Sequence, residues 1–228
     1  MLYLVPTPIG NLRDITLRAV DVLKEVDMIA CEDTRRTQKL LSYYKIEKPL
    51  VSFHEYTGKR RVEDLVNRLK EGKAIALVCD SGTPLISDPG FPLVREAIRC
   101  GIRIESLPGP SAVVTALAAS GLSAVHYSFF AFLPAKSAAR RKALERLSER
   151  EETLVFYESP FRLLQTLNEM KEIFGDREAV VARELTKKFE EMSRGYLSEL
   201  VEKFSKKKAL GEMVILVAGK GQKEVLHS

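Results

Sequence analysis

The segment least like ordinary fold-building sequence is Asp80-Ser81-Gly82-Thr83-Pro84-Leu85-Ile86-Ser87-Asp88-Pro89-Gly90, where carboxylates, hydroxyls and turn residues follow directly on the apolar run Ala74 to Cys79. Such a run reads as a buried strand, and ligands of parallel α/β sheets bind beyond the carboxyl ends of strands, so this loop is expected to wall a pocket. The competing reading is a long surface turn in which Asp88-Pro89 starts the next helix. A second loop, Leu107-Pro108-Gly109-Pro110-Ser111-Ala112, also leaves a strand and enters a helix. Ser111 could cap that helix or hold a ligand through its N–H and hydroxyl. It is not a hydrolase nucleophile, because Gly109-Pro110-Ser111-Ala112-Val113 lacks the second glycine of the elbow motif. The third loop, Pro6-Thr7-Pro8-Ile9-Gly10-Asn11, stands where a dinucleotide fold would show GxGxxG, and its two prolines remove backbone donors. GxxxxGK[ST] is absent as well. Three strand-end loops without a pyrophosphate cradle suit a ligand such as an aminoacyl-nucleoside better than NAD or ATP.

These loops need a scaffold, and the flanking sequence supplies one. The first half alternates short β-branched runs with helical periods: Leu2 to Val5, Ile15 to Val26, Met28 to Cys31, Arg36 to Tyr44, Leu50 to Phe53, Val62 to Leu69 and Ala74 to Cys79. The rhythm continues through Phe91 to Cys100, Ile102 to Leu107 and Ser111 to Ala119. It predicts a wound α/β domain with a largely parallel sheet. Val62, Leu65, Val66 and Leu69 share one helix face, and Gly72 stops that helix. A domain boundary is expected in the turn-rich stretch after Gly121, giving domains over 1–121 and 134–228 joined by a linker over 122–133. The second domain reads as helix Ser137 to Leu147, strand Thr153 to Tyr157, helix Phe161 to Phe174 and strand Ala179 to Arg183. Strand Met192 to Gly195, helix Leu197 to Ser205 and strand Met213 to Ala218 complete it. Its short Gly-linked strands point to a partly antiparallel sheet.

Composition narrows the function classes. At 228 residues with 45% apolar and 29% charged side chains, the chain is globular and neither disordered nor collagen-like. No stretch reaches the ~18 apolar residues of a membrane span, and the start Met1-Leu2-Tyr3-Leu4-Val5-Pro6 has no basic region ahead of an apolar one. The expectation is a cytoplasmic protein without a membrane partner. Cys31, Cys79 and Cys100 are far apart, as are His54, His126 and His227, with no CxxC or HExxH spacing, so no metal is expected. A formal charge of +5 permits an anionic partner without requiring one.

Four blocks then become recognisable together: Val5-Pro6-Thr7-Pro8-Ile9-Gly10-Asn11-Leu12, Cys31-Glu32-Asp33-Thr34-Arg35, the Asp80 to Gly90 loop, and Pro108 to Ala112. In this order they closely resemble the tetrapyrrole methylase-like superfamily, the class III methyltransferases. Phe132-Leu133-Pro134-Ala135-Lys136, Phe156-Tyr157-Glu158-Ser159-Pro160 with Arg162-Leu163, and Ala182-Arg183-Glu184-Leu185-Thr186-Lys187 narrow the resemblance to its ribosomal RNA small subunit methyltransferase I branch, from Leu2 to Ala218. The resemblance implies two α/β domains with S-adenosylmethionine in a cleft between them, a homodimer, and 2'-O-methylation of a cytidine in 16S ribosomal RNA or the 30S subunit. By position, it implies cofactor contacts at Ile9, Asp80, Thr83, Ile86, Ser111 and Ala112, with Tyr157, Leu185 and Met213 from the second domain. Two departures stand out: Tyr56 follows His54-Glu55 where the family often repeats a histidine, and Phe161 replaces a frequent histidine after Ser159-Pro160. Longer members carry a further C-terminal helical segment, so here the two domains themselves are expected to hold RNA.

Methyl transfer from a sulfonium to a ribose hydroxyl is an in-line displacement that needs aligned reactants and a proton acceptor. Glu32, Asp33, His54, Glu158 and Glu184 all lie near strand ends, and Glu158 is the first choice of general base with Glu32 second. The alternative for each is a helix cap or an ion-pair partner. Phosphates are expected to meet Arg35, Arg36 and Lys39, the trio Lys59-Arg60-Arg61, and a basic helix carrying Lys136, Arg140, Arg141, Lys142 and Arg146. The aromatic run Tyr127 to Phe132 reads as a buried strand or as a surface that stacks an extruded base. Competing functions are methylation of another acceptor, a corrinoid carbon or a protein side chain, and a ribosome-assembly RNA-binding protein without catalysis. The basic clusters argue against the first and the intact loops against the second.

Overall fold

Leu2–Leu4 (β1), Met28–Cys31 (β2), Leu50–Ser52 (β3), Ile75–Val78 (β4) and Ile104–Ser106 (β5) form a sheet of order β3-β2-β4-β1-β5. Every pairing in it is parallel, as the alternating sequence rhythm predicts. The structure is a computed structural model describing residues 1–54, 58–206 and 209–222. β2 and β4 are buried along their whole length, which is why MIAC and IALV are unbroken apolar runs rather than alternating ones.

Four helices cover this sheet. Leu17–Glu25 (α1) and Thr34–Tyr43 (α2) supply Leu23, Leu40 and Leu41 to one core, with Ile29, Ala76 and Val78. Lys59–Lys70 (α3) and Phe91–Arg99 (α4) supply Leu65, Leu69 and Leu93 to another, with Ala30, Ile75 and Leu77. Adjacent strand residues such as Ile75 and Ala76 belong to different cores because successive side chains point to opposite faces. Caps set where helices begin: Thr16 Oγ1 accepts from Ala19 N–H at 3.1 Å, and Asp33 Oδ1 from Arg35 N–H at 2.8 Å.

The topology fixes where a ligand can enter. β1 continues into α1 on one face, whereas its neighbour β4 continues into α4 on the other. The chain therefore diverges at the carboxyl ends of β1 and β4, the switch point at which open α/β sheets form their crevice.

The second unit contains Ala112–Ser120 (α5), Tyr127–Phe132 (β6), Ser137–Glu145 (α6), Thr153–Glu158 (β7), Leu163–Phe174 (α7), Glu178–Arg183 (β8), Glu191–Tyr196 (β9), Leu197–Lys206 (α8) and Met213–Val217 (β10). Its strand order is β6-β7-β10-β8-β9. β6 and β7 are parallel and the other pairs antiparallel, the mixed sheet that the short strands predict. α6, α7 and α8 bury Leu144, Leu167, Met170 and Leu200 against Leu154, Phe156, Val181 and Ile215. α5 packs on β8 and β10, and Arg194 of β9 donates to the Ala119 and Ser120 carbonyls at its end.

The two compact units are Met1–Ser111 and Ala112–Ser228, so the division falls ahead of the expected boundary and α5 belongs to the second unit. Residues 122–133 are not a linker, because β6 is the edge strand of the second sheet. Turn residues around Gly121 suggested a junction, but tertiary pairing decides the unit to which a strand belongs. Glu55 and Tyr56 lie outside the described residues.

Candidate active site

The three loops expected to wall a pocket meet at the switch point of the first unit. Thr7 and Gly82 form an isolated antiparallel bridge, with Thr7 N–H donating to Gly82 O at 2.8 Å and Gly82 N–H to Thr7 O at 3.0 Å. Thr7 Oγ1 also donates to Cys79 O at 3.1 Å, and Thr83 Oγ1 donates to Pro110 O at 3.3 Å. The loops after β1, β4 and β5 are thereby tied into one rim. Two glycines permit it. Gly82 adopts φ +85, a region that favours glycine, and a Cβ on Gly109 would lie 2.5 Å from Pro6 Cβ. Ile9 is buried beside this rim and Ile86 stands exposed on it. Leu85 and Ser87, at φ 72 and 68, hold the Asp80 loop in a tight left-handed course.

Carboxylates gather at the ends of β2 and β4. Asp33 N–H donates to Asp80 Oδ1 at 3.1 Å, and Arg36 Nη1 lies 3.1 Å from Asp80 Oδ2. Burial, reinforced by the negative charge of Asp80, pushes Glu32 above the usual carboxylate range while Arg36 pulls it back. Asp88 is moved further, to about 6, by its burial and by the charges of Glu32 and Asp80, against a lowering contact with the Cys79 thiol. Asp33 is held low by Arg35. The sequence points to Glu32 and Asp80, whereas Asp88 reads there only as part of a turn or helix start. Its position in Ser87-Asp88-Pro89-Gly90 was visible, whereas the burial that perturbs it comes from the folded loop.

Glu158, the first choice of base, is not available for that role. Its side chain is 0% exposed, and Oε1 accepts from Ser159 N–H at 2.7 Å and Arg162 Nε at 2.9 Å while Oε2 accepts from Thr166 Oγ1 at 2.6 Å. Arg162 Nη1 in turn donates to Leu133 O. Glu158 is therefore a buried clasp between the end of β7, the start of α7 and the loop after β6. Tyr157, half-buried, packs its ring edge-on to Phe129 at 4.8 Å. Leu185 is buried between Glu184 and Thr186, which have φ 51 and 64, and Met213 is buried at the start of β10. Glu184 accepts from Lys187 Nζ and Glu212 N–H.

The basic residues separate into two groups. Arg140 is fully buried in a bidentate pair with Glu169 and also donates to the Ala135 carbonyl, so it cannot meet RNA phosphate. Helical spacing placed it on a basic face; the same spacing turned it toward α7. Lys136 is exposed, and Arg141 is half-exposed in a pair with Glu172 at 2.5 Å. Arg35 and Arg36 are mostly exposed, pairing with Asp33 and Asp80. Among the described residues, no helix is long and apolar enough to cross a membrane.

Residues 1–201 match the family model described as Tetrapyrrole (Corrin/Porphyrin) Methylases. The fold is also that of solved methyltransferase-class structures: diphthine synthase, with TM-score 0.74 and 16% identity over 97% of this chain and 91% of that one, and cobalt precorrin-4 methyltransferase, with TM-score 0.68 and 20% identity over 95% and 94%. Fold and site thus define a class III, S-adenosylmethionine-dependent methyltransferase. Ribosomal RNA small subunit methyltransferase I of Thermotoga maritima is 50% identical over 96% of this chain and 98% of its own length. That of Bacillus subtilis is 49% identical over 99% of this chain and 77% of its own length. The chain belongs to the ribosomal RNA small subunit methyltransferase I family.

Proposed function

We propose that the chain methylates the 2'-hydroxyl of a cytidine ribose in 16S ribosomal RNA, free or in the 30S subunit. It acts as a homodimer in the cytoplasm, where ribosomal subunits are made. The observation that carries this reading is the locked three-loop rim of the first unit with its group of carboxylates, in a chain half identical to relatives bearing the ribosomal RNA name.

The residues at the rim fit the methyl donor. S-adenosylmethionine joins two cationic centres, an ammonium and a sulfonium, to an adenosine. Asp80 offers a carboxylate, Thr83 and Ser111 offer hydroxyls, and Ile9 and Ile86 offer apolar surface. Those five would hold it. When bound, it supplies an electrophilic methyl group that a ribose hydroxyl oxygen attacks in line with the departing sulfur.

The chain's own residues then have two tasks. One is alignment, for which the bonded rim is preorganised and which can lower a barrier by ~7 to 11 kcal/mol at best. The other is acceptance of the hydroxyl proton. With Glu158 clasped, Glu32 takes that role, and its raised pKa makes it a stronger base than an ordinary carboxylate. Lys136, Arg141, Arg35 and Arg36 bind the phosphates around the target.

Incubating the protein with labelled S-adenosylmethionine and 30S particles that lack the modification, then mapping the labelled nucleotide, tests the reading. A single 2'-O-methylcytidine is expected. Label in a base, in protein, or nowhere would refute it. Sedimentation is expected to give twice the 25.6 kDa of one chain, and a monomer at micromolar concentration would remove the homodimer.

A further inference from the structure

The edge strand β6 carries an irregularity in its pairing with β7. Tyr127, Ser128 and Phe129 pair in register with Thr153, Leu154 and Val155 of β7, but the next recorded partner is Phe132 with Tyr157. Two residues, Phe130 and Ala131, thus stand opposite Phe156 alone. Ala131 adopts φ 52, a left-handed conformation uncommon for a residue with a Cβ.

The bulge changes where Phe132 points. In a regular strand, residues two apart share a face, so Phe132 would lie with Phe130, whose ring stacks on Phe156 at 5.5 Å beside the helical core. One extra residue reverses that phase. Phe132 instead stands 5.5 Å from Tyr157, with Tyr157 also against Phe129. Phe132 is nevertheless 58% exposed. More than half of that residue's surface therefore remains in water.

From this geometry we infer that Phe132, backed by Tyr157, is a stacking platform for one unpaired base of the RNA substrate. The inference rests on the proposed RNA methylation and names a subsite for it. A base fits because it is a flat π-system with a phosphate on either side. The ring offers a matching face, and Lys136, exposed four residues further on, supplies a cation for the backbone. The Glu158–Arg162 clasp is what keeps the platform in place, since Arg162 holds the Leu133 carbonyl next to Phe132 while Glu158 follows Tyr157. Glu158 and Arg162 are thus positioning residues.

The test compares Phe132→Ala, Phe132→Leu and Phe132→Trp with the wild-type protein. The readouts are KM and kcat on unmodified 30S particles, calorimetric affinity for S-adenosylmethionine, and sedimentation. Stacking predicts that Ala and Leu raise KM about 10- to 100-fold, the range of one lost base stack. Trp should remain within about threefold of wild type, with cofactor affinity and oligomeric state unchanged in all three. A Leu variant equal to wild type would show that apolar contact suffices and overturn the platform. Weakened cofactor binding would make the ring a cofactor wall, and a shift to monomer would make it an interface between copies; either overturns the inference. Wild-type protein that methylates nothing would strike the proposed function itself, and this subsite with it.

Discussion

Arg140 and Glu169 face each other in a bidentate pair of 2.6 and 2.9 Å, with side chains 0% and 7% exposed, between α6 and α7. Glu169 also accepts from Ser137 Oγ at 2.7 Å, at the start of α6. Removing one partner strands a buried charge, so Arg140→Ala should cost about 3–5 kcal/mol in denaturant unfolding. RNA affinity per folded molecule and its salt slope should stay unchanged. A stable variant with a reduced slope would return Arg140 to the RNA-binding face.

Glu158→Gln separates clasp from catalyst. The variant keeps an acceptor for Ser159 N–H and can turn its amide nitrogen toward the Thr166 hydroxyl, but it loses the charge that meets Arg162. Stability should fall by about 2–4 kcal/mol, on the scale of broken buried pairs. Single-turnover methyl transfer by the folded fraction should stay within about tenfold. A loss of several orders of magnitude at unchanged stability would restore Glu158 as the base.

Asp88 makes stability depend on pH in an unusual direction. Its pKa is raised from 3.8 to about 6 in the folded protein, so between those values the folded state binds more protons than the unfolded one. Its contribution is therefore most favourable below about pH 4 and is lost as pH rises through 6. Asp88→Asn should stabilise the protein at pH 7.5 by about 1–2 kcal/mol, a value reduced from the full ~1.4 kcal/mol per pKa unit because water reaches the group. The gain should vanish near pH 4. Equal effects at both pH values would show that Asp88 is not displaced.

The alternating apolar and helical periods of the first half carried its whole parallel sheet, because strands buried on both faces leave unbroken runs such as Ile75–Val78. The strand-end loops are legible for the same reason: Asp80 lies two residues beyond β4, and Ser111 immediately precedes the helix that follows β5. What periodicity cannot report is which polar residue turns inward. Glu158 is buried by Thr166 of α7, eight residues on, a bond that spacing does not report, and Arg140 by Glu169 of α7, distant in sequence. The bulge at Ala131 was hidden too, since alanine carries no sign of a left-handed φ as glycine would.

Glu32 is a carboxylate whose environment suits proton transfer. It follows Cys31 at the end of β2, its pKa is raised by burial and by Asp80, and Arg36 keeps it from rising further. A base must be deprotonated to act, so the single-turnover rate should rise with pH along a limb displaced upward from an ordinary glutamate. Glu32→Gln should lower that rate by about two to four orders of magnitude and flatten the limb, the usual scale for a lost general base. Affinity for S-adenosylmethionine, measured by calorimetry, should change little, because Asp80 keeps its bonds to Asp33 N–H and Arg36. Asp80→Ala gives the opposite pattern, with cofactor affinity falling while the protein stays folded. If Glu32→Gln instead weakens cofactor binding and leaves the pH limb intact, Glu32 serves the ammonium end of the cofactor and the proton leaves to water.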